Sequence, residues 1–162
     1  MVLLAAGSAA EEKLADAVYQ VSPIGRIHNA KGEPATLEVF EKYVAGLEGL
    51  EHCSHVTVLW WFDKNDTPEK RAVLKVHPCH DKRNPLTGVF ATHSPMRPNL
   101  IAMTICKVLS VKDGVVTIDA IDAFDGTPIL DLKPHVPGFD REAEAFRVPK
   151  WTGRTPGPRP GR

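Results

Sequence analysis

The chain has 162 residues with 20 basic and 20 acidic side chains, so its formal net charge is zero at neutral pH. That length suits one domain, and the charge balance leaves no overall field with which to draw nucleic acid or an anionic membrane surface. Cys53, Cys79 and Cys106 are odd in number with no Cys-x-x-Cys pair, which argues against a disulfide framework and fits a reducing, cytoplasmic compartment.

Residues 1–16 read as an N-terminal extension. Their apolar run lacks a basic n-region and is too short for a secretion signal, and no segment approaches the roughly 18 to 20 apolar residues of a membrane helix. Ala17 to His28 is rich in β-branched and aromatic residues and predicts a strand, broken by the turn formers of Asn29 to Pro34. Ala35 to Phe40 predicts a second strand. Glu41 to Leu50 then places Tyr43, Val44, Leu47 and Leu50 at helix-like offsets, with two glycines that limit the helix to one or two turns.

Ser54 to Phe62 is too apolar for a half-exposed edge and predicts a strand in the middle of a sheet. His55 at its start suits a local hydrogen bond, and the adjacent Trp60 and Trp61 must face opposite sides, one packing and the other free to line a cavity. Asp63 to Pro68 ends the strand, and Ala72 to His77 predicts another before a long polar loop. Ile101 to Val111, the turn Lys112-Asp113-Gly114 and Val115 to Ile121 form a hairpin pattern. Ile129 to Leu132 adds a short strand. Many short strands with few sustained helical periods predict a mainly β chain, an antiparallel β-barrel with short helices, over residues 17–147. The Pro-, Gly- and Arg-rich residues 148–162 predict a disordered tail.

His77-Pro78-Cys79-His80-Asp81 gathers possible metal ligands, but no second pair stands at zinc-site spacing, and no metal is expected. No P-loop or Gly-x-Gly-x-x-Gly motif is present, and no nucleophile motif accompanies the neighbouring Cys and His residues. The residues hardest to explain by packing lie in two loops. His93 to Asn99 combines two prolines with an imidazole, a guanidinium, a hydroxyl and an amide, which suit carboxylate or ribose recognition. Asp122 to Pro128 offers a carboxylate, an aromatic face and a glycine that admits a ligand to the backbone.

Five ordered blocks, Ile24 to Ile27, Gly46 to Gly49, Ser54 to Val56, Gly88 to Asn99 and Asp122 to Pro134, resemble the TsaA-like family, which includes the TrmO-type tRNA methyltransferases. The resemblance runs from about Ser22 to Gly138, without the C-terminal extension of longer members. It implies a β-barrel, homodimeric enzyme that uses S-adenosyl-L-methionine without a Rossmann fold to N-methylate threonylcarbamoyladenosine in tRNA next to the anticodon. By motif it places cofactor contacts at Asp63, Lys64, His93, Met103, Ala123, Phe124, Asp125 and Gly126. Arg97 and Asn99 would position the acceptor or support the loop, and Asp125 and His93 are the candidate proton acceptors. The family often carries Arg at the position of His93, and a Pro-Ile-Gly run where this chain has Leu100-Ile101-Ala102. A small-molecule or protein acceptor, or a non-catalytic S-adenosylmethionine-binding role, stands as the alternative.

Overall fold

In the computed structural model, residues 17–29 and 33–136 are described, with Pro149 and Thr152. The expected N-terminal extension and nearly all of the expected tail lie outside the described residues. Six strands close a barrel in the order β1 (Gly25–His28), β2 (Ala35–Val39), β7 (Val115–Ile118), β6 (Ile101–Lys112), β3 (His55–Trp61) and β8 (Pro128–Pro134), with β8 pairing back to β1. Every pairing is antiparallel. β4 (Lys75–Val76) and β5 (Thr87–Gly88) form a separate two-stranded sheet.

The barrel follows from period-2 patterning. β2 and β3 alternate buried and half-buried residues along their lengths, so each strand turns one face to the interior. Ile27, Leu37, Val56, Val58, Val116, Ile118 and Ile129 meet there, all fully buried. β3 lies between β6 and β8 as its apolar content requires, yet Thr57, Leu59 and Trp61 point outward and are half-buried, so it is not core throughout.

The first strand is shorter than the composition of Ala17 to His28 suggests. Val18, Tyr19 and Val21 are exposed with no strand beside them, and Pro23 supplies no backbone donor. Pairing begins at Gly25, where a Cβ would collide with the Glu38 carbonyl oxygen of β2. The helical offsets after β2 produce short 3-10 turns, Glu41–Leu47 and Leu50–His52. The Ala72 to His77 segment pairs only over Lys75–Val76, whereas the last strand extends beyond Ile129 to Leu132 to cover Pro128–Pro134.

The hairpin turn falls at Asp113 and Gly114, whose φ angles of 49° and 78° match the left-handed pair that a tight Asp-Gly hairpin needs. Its second strand stops at Ile118 rather than Ile121. Asp119 causes this: its carboxylate accepts the Lys107 N–H at 2.9 Å, and its own N–H donates to the Lys107 carbonyl at 3.2 Å. The chain leaves the sheet there and becomes the loop that reaches the candidate site.

Candidate functional site

β3 and β6 present Trp60 and Thr104 to the same side of the sheet, and the Trp60 indole N–H donates to the Thr104 hydroxyl at 3.1 Å. Phe62 packs edge-on against Trp60 with ring centroids 4.8 Å apart. These side chains form one wall of a cavity of about 850 Å³. The 3-10 turn Asp63–Asn65 adds Asp63 and Lys64, the 91–97 loop adds Thr92, His93, Pro95 and Arg97, and the loop after β7 adds Asp122, Ala123 and Phe124. Ile101 and Met103, from the outward face of β6, also line it.

Each lip is braced by hydrogen bonds. Asp63 is paired with the Lys64 ammonium at 3.0 Å, and the fully buried Thr127 hydroxyl donates to its other carboxylate oxygen at 3.5 Å. The short helix α1 (Pro68–Arg71) is capped at its start by Thr67, whose side chain accepts from the Lys70 N–H. From α1, the Lys70 ammonium donates to the Lys64 carbonyl at 2.9 Å, and the Arg71 guanidinium donates to the Pro98 carbonyl at 3.0 Å. Arg71 also pairs with Asp66 at 2.7 Å and lies over the Trp61 ring, while the Trp61 indole donates to Asp66. The hydrogen bonds from Arg71 and then Trp61 hold the Asp66 carboxyl below its ordinary value. Trp61 therefore fixes the lip from outside while Trp60 lines the cavity.

Of the residues singled out by sequence, Asp63, Lys64, His93, Arg97, Met103, Ala123 and Phe124 are brought together around this space. Asp125, Gly126 and Asn99 are not among its lining residues. Asp125 turns toward β1 and accepts the Asn29 backbone N–H at 3.1 Å, and Gly126, with φ of 79°, donates its N–H to the Ile27 carbonyl. Arg97 donates to the Thr92 carbonyl at 3.3 Å, holding the 91–97 loop in a curl. Phe62, Asn65, Phe90 and Thr104 line the cavity without having been marked in the sequence. Phe90 carried a signal, an aromatic residue between Gly88 and the polar loop, and it is 79% exposed. Among the described residues no cluster of three or more metal-ligating side chains occurs.

The cavity combines aromatic faces with both signs of charge and opens to solvent beside two exposed phenylalanines, Phe90 and Phe124. That mix suits a small organic ligand carrying a base, hydroxyls and a zwitterionic end. The tRNA-methyltransferase O N-terminal domain model matches residues 23–141. The chain belongs to that family. A protein of Methanocaldococcus jannaschii named probable S-adenosyl-L-methionine-binding protein is 45% identical over 116 residues, covering 72% of this chain and 91% of the relative. The mouse tRNA (adenine(37)-N6)-methyltransferase is 41% identical over 102 residues, covering 63% of this chain and 23% of the mouse protein. A crystal structure of TrmO superposes with a TM-score of 0.63 at 35% identity, covering 81% of this chain and 64% of the other. This chain thus corresponds to the N-terminal domain of that family and spans 64% of the matched TrmO chain, and the cavity is lined by residues of both the 91–97 loop and the loop after β7.

Proposed function

We propose that this TrmO-family barrel is an S-adenosyl-L-methionine-dependent methyltransferase that N-methylates threonylcarbamoyladenosine in tRNA beside the anticodon, in the cytoplasm and as a homodimer. The single observation that carries the reading is the convergence of Asp63, Lys64, His93, Met103, Ala123 and Phe124, separated by up to 61 positions in sequence, on one cavity.

The residues fit the cofactor. Trp60, Phe62, Phe90 and Phe124 offer aromatic faces to a purine or a sulfonium cation. Asp63 and Asp122 can accept from hydroxyl or ammonium groups, and Lys64, His93 and Arg97 can donate to a carboxylate. When bound, S-adenosylmethionine supplies a methyl group made electrophilic by its sulfonium. The chain's own task is to align the acceptor nitrogen with that methyl and exclude water. The acceptor nitrogen must also lose a proton. Of the two candidates, His93 lines the cavity, whereas the Asp125 carboxylate is engaged by Asn29; a ring nitrogen of His93 is therefore the assigned proton acceptor. Asp125 and Gly126 shape the loop behind the contacts rather than the contacts themselves. Arg97 curls the motif loop, and Asn99 is exposed beyond it, where it would be free to contact the acceptor.

Homodimerisation is supported by the outer face of β6, where Ile101, Met103 and Ile105 stand 44%, 54% and 37% exposed in a row. Across the ladder they face Trp61, Leu59 and Thr57, so the stripe widens onto β3.

Titration calorimetry with S-adenosylmethionine tests the cofactor, and transfer of labelled methyl into tRNA with and without the threonylcarbamoyl group tests the reaction. Saturable binding and label only in modified tRNA are expected. Absence of binding overturns the whole reading. Binding without transfer leaves the role named for the archaeal relative, a binding protein, and label only in small metabolites or protein replaces the acceptor.

A further inference from the structure

The loop from Ile121 to Gly126 brings Ala123 and Phe124 to the cavity, yet Phe124 is 69% exposed; Ile121 is buried in the core and the small Ala123 is half-buried against it. Packing alone leaves its tip loosely held. What fixes it comes from the far end of β1. The Asn29 carboxamide nitrogen donates to the Ile121 carbonyl at 3.0 Å and to the Ala123 carbonyl at 2.6 Å. The Asn29 backbone N–H donates in turn to Asp125 Oδ1 at 3.1 Å, and Ile27 exchanges backbone hydrogen bonds with Gly126 and Thr127.

We infer that Asn29 is a positioning residue for the ligand cavity: its side-chain amide, bridging the carbonyls of Ile121 and Ala123, sets the loop conformation in which Ala123 and Phe124 meet the cofactor. Two N–H groups on one planar nitrogen are what this bridge requires. A carboxylate offers only acceptors and would face two carbonyl oxygens, and a hydroxyl has one donor for two acceptors. The neighbouring groups are themselves engaged, His28 with Glu38 at 2.7 Å and Asp125 at 3.7 Å, and Arg26 with Glu38 at 2.8 Å. They hold β1 and do not replace the bridge.

The inference rests on the cofactor reading above, and the two fail separately. If the wild-type chain does not bind S-adenosylmethionine, the cofactor reading falls; if it binds, Asn29 can be judged. Asn29→Asp and Asn29→Ser should each raise the dissociation constant for S-adenosylmethionine about tenfold or more, the loss of a net hydrogen bond or two. With saturating cofactor, kcat and the KM for tRNA should stay within about twofold, because the loop contacts that are lost hold the cofactor equally in the ground state and the transition state. Unchanged cofactor affinity in folded variants overturns the inference, as does an equal fall in kcat and in affinity for both substrates. Should neither variant fold, the wild-type protein decides it: the Asn29 side-chain amide resonances should shift and exchange more slowly as S-adenosylmethionine is added. Resonances that do not respond to saturating cofactor overturn it.

Discussion

Cys106 pairs with Val56 across β3 and β6 and is 1% exposed inside the barrel. Burial, with a smaller contribution from the Asp119 carboxylate, pushes its thiol up from 9.0 to about 12. A group whose folded value is raised contributes stability that is present below its unfolded value and is lost as pH climbs through the interval between the two. The folded protein should therefore lose stability between about pH 9 and pH 12 from this one position, by about 1 kcal/mol at pH 10. Urea unfolding under reducing conditions at pH 7 and pH 10 measures it. Cys106→Val, similar in volume, should remove that share of the pH dependence while leaving other titrating groups as they are. An identical pH slope in the two proteins would show that the thiol ionises equally in both states.

At the scale of the element, α1 matters beyond its four residues. It spans the gap between the Asp63–Asn65 turn and the motif loop, reaching one through Lys70 and the other through Arg71. Arg71→Ala should release the Pro98 carbonyl and leave Asp66 without its main partner, at a cost of about 1 kcal/mol in stability. Hydrogen exchange should rise in residues 92–99 while the β3 and β6 amides keep their protection. Equal exchange in the loop would mean that the prolines alone hold it. These braces also mark the limit of what the sequence discloses. The Asp113-Gly114 hairpin was legible because neighbours in sequence decide it, and the two loops were legible because their residues are chemically unsuited to packing. The Asn29 bridge joins residues 92 and 94 positions apart, and the Arg71 to Pro98 bond spans 27. Such contacts exist only once distant segments have been brought together by the folded barrel and its loops, and no local pattern encodes that arrangement. The same holds for the ends of strands: Val115 to Ile121 looks continuous until Asp119 captures the Lys107 N–H from another strand.

For the whole molecule, closure of the barrel removes the barrel's open sheet edges, through which β proteins commonly associate, and among the described residues leaves edges only on the two-residue strands β4 and β5. The proposed homodimer would then use a face, and the exposed row of Ile101, Met103 and Ile105 on β6 is apolar where the outward side of a solvated strand is ordinarily polar. Ile101 and Met103 also line the cavity, so the clean probe of the proposed interface is Ile105, which does not. Its cross-strand neighbour is Thr57, and in a single copy a lysine there can extend into water with little effect on the fold. Between two copies the same ammonium would be buried without a partner, which is costly. Ile105→Lys should therefore raise the dimer dissociation constant by about 100-fold or more, read by sedimentation equilibrium, while the thermal unfolding of the dissociated chain retains its cooperativity. A dimer of undiminished affinity would place the interface on another face of the barrel, and a wild-type chain that sediments as a monomer would remove the homodimer altogether.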